Sequence, residues 1–101
     1  MSDQNPGNEN MEVLARAFSV LRNEEEYGKF LQDLCTTGEL EILCQRLKVA
    51  HMLDENDTYT RIAESTGAST ATISRVKRFL AGGYGGYRLV LDRLREMGVR
   101  L

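Results

Sequence analysis

Residues 59–80 read YTRIAESTGASTATISRVKRFL, two short runs of helical periodicity separated by a corner that contains Gly67. That spacing narrows the fold more than any other stretch. A helix-turn-helix needs a small residue where its helices cross, a glycine where the chain turns, and a branched apolar side chain anchoring the second helix. Ala63, Gly67 and Ile73 meet the three requirements, and Ile62, Ala68, Val76 and Leu80 supply the remaining inward positions. Thr66 is the poorer fit, standing where an apolar residue is expected. With Gly67 closing the first helix, Ser69 capping the second and AGGYGG ending it, the expected spans are 59–66 and 70–80.

The rest of the chain also reads as helix. Residues 1–9 are polar, with Pro6 and Gly7, and are expected to form a disordered tail ahead of one helical domain over 10–101. Val13, Leu14, Ala17, Phe18 and Leu21 line one face of a first helix within 11–22. A second, over 24–35, starts on three glutamates and carries Tyr27, Phe30, Leu31 and Leu34 on its apolar side. Thr36 followed by Glu39 is a capping-box signature for a third helix running to about Asp54. Its apolar positions spread too widely for one stripe, so this helix needs cover on more than one side, and a chain of 101 residues has little to offer. A homodimer or a central position in a compact monomer would satisfy it. A last helix over 87–97 turns Leu89 or Val90, Leu91, Leu94 and Met97 inward. The fold class expected is therefore all-α.

Net charge is −2, which alone gives no hint of a polyanionic partner. Its distribution says more. Residues 1–58 hold twelve acids against five bases, whereas 59–80 hold Arg61, Arg75, Lys77 and Arg78 against Glu64 alone. Opposite the buried side of the second corner helix lie Ala71, Ser74, Arg75 and Arg78, with Ser69, Thr70 and Thr72 at its start. Small side chains, methyls and hydroxyls suit the base edges of a major groove. Arg61, Lys77 and Arg78, with Arg88 as a further candidate, suit phosphates. Double-stranded DNA is the partner these residues fit. The alternative is a helical protein-interaction module without direct DNA binding, consistent with the acidic first half.

Other chemistries find little support. No run of 18 apolar residues exists, and MSDQNPGNEN lacks a basic, apolar leader, so neither a membrane span nor a secretion signal is expected and the compartment is read as cytoplasmic. Cys35, Cys44 and the single His51 make no metal set. AGGYGG lacks the GxxxxGK[ST] pattern of a phosphate loop, and no enzyme chemistry is expected.

From about Phe30 to Leu94 the chain resembles the Trp repressor superfamily, in particular its TrpR-like YerC/YecD branch. The segments that carry the likeness are LCTTGELEILCQRLKVAHML, the corner YTRIAESTGASTATISRVKRFL and the ending GGYGGYRLVLDRL. The resemblance implies an intertwined helical homodimer whose two reading heads meet successive major-groove turns, acting as a transcriptional regulator, a repressor by preference, on a near-palindromic site. In the tryptophan-responsive members two arginines flank the bound amino acid, and Arg46 and Arg75 match them, with the loop around Thr36 as another wall. That leaves room for a small amino-acid-like effector. Val76 replaces a glycine of those members and Phe79 a serine, which puts hydrocarbon where the ligand wants space or a hydrogen bond. An effector is accordingly not favoured, and no cofactor is expected.

Overall fold

A computed structural model describes residues 6–101 and is helical throughout its regular structure. Among the described residues there are six helices: α1 (Pro6–Ser19), α2 (Glu24–Leu34), α3 (Thr37–Asp54), α4 (Tyr59–Thr66), α5 (Thr70–Gly82) and α6 (Gly86–Glu96). The described residues divide into two compact units, one up to residue 40 and the other 41–101.

In the N-terminal unit α1 begins earlier than its apolar pattern suggests. Pro6 occupies the first helical position, where a missing N–H costs nothing and the fixed φ suits a helix. Residues 6–9, expected in the tail, are therefore helical, and the remainder of that expected tail, 1–5, lies outside the described residues. The helix also ends earlier, at Ser19, where the chain turns with the Leu21 N–H donating to the Phe18 carbonyl at 3.1 Å before the next cap begins. Asn23 Oδ1 accepts the Glu26 N–H at 3.0 Å, and Glu26 Oε1 accepts the Arg22 N–H at 2.9 Å. So one acid of the EEE run has a local structural role. Phe18 packs edge-on to Phe30, with ring centroids 5.2 Å apart, and stacks near Tyr27 at 6.3 Å. No described residue of α1 or α2 is buried.

The capping box at the start of α3 is present in both directions: Glu39 Oε1 accepts from Thr36 N–H at 2.8 Å, and Thr36 Oγ1 accepts from Glu39 N–H at 3.1 Å.

The C-terminal unit holds the core. Val49 and Ala50 of α3, Ile62 of α4, Ala68 of the corner, Ile73 and Val76 of α5 and Leu91 of α6 are buried together. Leu47, Leu53, Ala63, Leu80 and Tyr87 pack around them, half-buried. α5 packs on both α4 and α6. Leu94 is half-buried, but Met97 is 70% exposed, against its expected inward position. The helix stops at Glu96, which leaves Met97 as the cap residue beyond the apolar face.

One ion network ties α6 to the end of α3. Arg88 grips Asp54 with both terminal nitrogens, at 2.9 and 2.8 Å, while its Nε reaches Asp92 at 3.1 Å. Arg95 also donates to Asp54. The bidentate hydrogen bonds from Arg88 hold the Asp54 carboxyl below its ordinary pKa; burial opposes them, and the bond from Arg95 adds to the lowering. The Arg88 guanidinium is correspondingly raised, chiefly by that same hydrogen-bonded pair. Arg88 thus serves α6 packing and is not an open phosphate contact, as its position after the corner had suggested.

Candidate nucleic-acid interface

The corner between α4 and α5 is built by three local devices. Thr58 caps α4 by accepting the Arg61 N–H at 3.2 Å. Gly67 ends it with φ +74°, the left-handed conformation that side chains resist, and donates its N–H to the Ala63 carbonyl. Ser69 then caps α5, its Oγ accepting the Thr72 N–H at 3.1 Å.

Thr66, which looked out of place in the apolar pattern, has a specific job. Its hydroxyl donates to the Ile62 carbonyl at 2.8 Å and accepts the Ala68 N–H at 3.1 Å, so it closes the turn from both sides. Gln45 of α3 donates to the Thr66 carbonyl at 3.1 Å, fixing the end of α4 against the long helix. The threonine hydroxyl thus engages two backbone groups, and an apolar residue would leave the Ala68 N–H without this partner.

With Ile73 and Val76 buried, the opposite side of α5 faces outward. Ala71, Ser74, Arg75 and Arg78 are exposed on it, with Thr70 and Lys77 exposed on its flanks. Ser69 is exposed as well, but its hydroxyl also donates to Thr72 Oγ1 at 3.1 Å, and Thr72 is half-buried. Ser69 and Thr72 therefore shape the start of α5, whereas Thr70, Ala71 and Ser74 present unengaged surface. Arg61 lies exposed on α4 with Asp57 3.5 Å from its Nε, a loose pair in water.

Aromatic rings lie against most of these cations. The Arg75 guanidinium carbon lies 4.9 Å from the Phe79 ring centroid and that of Arg78 lies 5.4 Å from the same ring. Lys77 Nζ stands 5.7 Å from the Tyr59 ring centroid. Neither ring was singled out for this in the sequence, although an arginine four residues before a phenylalanine on one helix is a readable signal.

Arg46 and Arg75 come together on a cavity of about 560 Å³ walled by Leu47, Val76, Phe79, Tyr84, Tyr87 and Val90. Arg46 is half-buried and makes no ion pair among the described residues. Thr36 lies in the N-terminal unit and is engaged in capping α3. His51 is half-buried, and no group of three or more metal-ligating side chains occurs among the described residues. No described helix is long and apolar enough to cross a membrane.

Comparison with known proteins places this geometry in context. A family model described as Trp repressor protein matches residues 9–95. The uncharacterized protein YerC of Bacillus subtilis is 49% identical over 86 residues, which span 85% of this chain and 83% of that protein. A crystal structure described as that of a candidate Trp repressor from Staphylococcus aureus superposes with a TM-score of 0.81 at 44% identity, covering 93% of this chain and 96% of the other. A TrpR like protein from Eubacterium eligens gives 0.79 at 49% identity, over 85% and 89% of the two chains.

Proposed function

The chain belongs to the Trp repressor protein family, matched over residues 9–95, and from that membership we propose that it is a sequence-specific DNA-binding regulator of transcription. In this reading α4 and α5 form a helix-turn-helix, α5 enters the major groove, and a homodimer reads a near-palindromic site to repress a promoter in the cytoplasm. The observation that carries it is the division of α5 into a buried apolar side, Ile73 and Val76, and an outward side of small, hydroxylated and basic residues.

Each residue has a physical task. Thr70, Ala71 and Ser74 allow close approach and meet base edges, Ser69 and Thr72 set the pitch of the helix start, and Arg61, Arg75, Lys77 and Arg78 meet phosphates. Two copies related by a two-fold axis would place their α5 helices about one helical turn of DNA apart. Exposed apolar side chains on α3 and α6, namely Ile42, Leu43, Leu89 and Val90, suit the surface that the second copy covers.

Arg46 and Arg75 retain the pairing expected of an amino-acid site, but Phe79 and Val76 stand on the wall of the same cavity. We therefore assign DNA binding to the protein without an added tryptophan. The test is selection of fragmented genomic DNA by purified protein at about 0.15 M salt, with a Lys77→Ala, Arg78→Ala variant alongside. Enrichment of one inverted-repeat site by the native protein and its loss in the variant supports the reading. Enrichment of nothing by either, with or without tryptophan, sinks it and leaves a helical interaction module.

A further inference from the structure

We propose that Phe79 is a positioning residue for DNA binding, its ring holding Arg75 and Arg78 as one preset pair of phosphate contacts. The inference rests on the DNA-reading function above and concerns a side chain to which that function gives no task.

Two exposed cations lie on the same face of α5. Arg75 and Arg78 are three residues apart, a spacing that brings like charges together and is unfavourable on a free helix. Neither forms an ion pair among the described residues, so no carboxylate relieves the repulsion. Both nevertheless lie against one ring, at 4.9 and 5.4 Å. The negative face of an aromatic ring attracts each of them. The N–H edge of an arginine stays free in such a contact, and that edge is what a phosphate oxygen accepts from. A carboxylate partner would have taken the same edge.

The ring itself is held. Phe79 is half-buried, with one side on the cavity wall beside Val76. Backbone closes on it from the end of α5: a Cβ added to Gly83 would lie 2.5 Å from the Phe79 carbonyl oxygen and 3.2 Å from the ring edge. A ring with backbone this close to its edge gives the two arginine side chains a common neighbour. Less side-chain freedom then remains to be lost when a duplex arrives.

Two substitutions separate this role from packing. Phe79→Leu keeps an apolar side chain, and Phe79→Tyr keeps the ring. In the free protein the Arg75 and Arg78 Nε–H resonances should be displaced by the ring current, move to ordinary arginine positions in Phe79→Leu, and stay displaced in Phe79→Tyr. On the selected duplex, fluorescence anisotropy should show about five-fold weaker binding for Phe79→Leu and near-native binding for Phe79→Tyr. In an Arg75→Ala, Arg78→Ala background at low salt, Phe79→Leu should have no further effect.

Equal affinity of Phe79→Leu and native protein would overturn the positioning role while leaving DNA reading intact. The same loss in the background without the arginines would also overturn it, assigning Phe79 to packing. Absence of any duplex binding by the native chain would instead remove the DNA function and this role with it. Should Phe79→Leu fail to fold, as read by helical circular dichroism, Phe79→Met takes its place in the same comparisons.

Discussion

Lys77 and Arg78 are exposed next to each other on α5, one over Tyr59 and the other over Phe79. If each meets one phosphate, their joint replacement by alanine should weaken binding to all duplexes alike. It should also flatten the plot of log affinity against log salt by roughly two units of slope, measurable by anisotropy titration at several salt concentrations. Asp54 makes a different kind of prediction. Its pKa is lowered in the folded state, so its contribution to stability is present above the unfolded value of about 3.9 and is lost as pH falls through the folded one. Thermal unfolding from pH 6 down to pH 2, in steps, should therefore show an acid-sensitive decline that Asp54→Asn reduces. At neutral pH the same variant should melt about 5 °C lower. Nothing in the sequence pointed to this aspartate, because Arg88 and Arg95 lie 34 and 41 residues further along the chain. Local spacing announces caps and helix faces; it is silent on ion pairs made by folding.

The helices themselves were largely legible, for a reason visible at their ends. α4 has the expected bounds because both its termini are written in residues with one dominant local preference, a threonine that caps and a glycine that turns left-handed. Replacing Gly67 by alanine should destabilise the C-terminal unit by about 1 kcal/mol, since φ +74° is strained for a side chain even though the space around it is open. Ser69→Ala, which removes the α5 cap, should cost about 1 kcal/mol as well. Urea unfolding followed by circular dichroism would measure both. Where termini were misplaced, the signal was compositional. Asn, Gln and Gly around Pro6 read as tail, yet the proline is itself a good first residue of α1. α5 runs on to Gly82, past the expected stop, because Ala81 and Gly82 continue the hydrogen-bonded turns until Gly83 leaves helical geometry. Thr66 was judged by its polarity, whereas the turn uses its hydroxyl.

Among the described residues, the buried apolar ones are confined to 41–101, and large apolar side chains remain exposed on every helix except α4 and α5. The width of the apolar pattern on α3 anticipated this shortage of cover. On the proposed homodimer, Ile42→Glu should shift the molar mass measured by light scattering from two chains to one. The melting temperature of the native protein, unlike that of the variant, should rise with concentration. The sequence could not say which copy or face supplies the cover, since that depends on the shape of two chains at once. The lack of buried residues among the described part of α1 and α2 carries a consequence for turnover. On the proposed homodimer these helices would acquire an interior only through encounter, and would be exposed to proteases in proportion to the time the chain spends alone. The half-life of this protein should consequently lengthen as it accumulates and shorten as it is diluted, so a growing cell that stops making it would clear it faster than division alone allows.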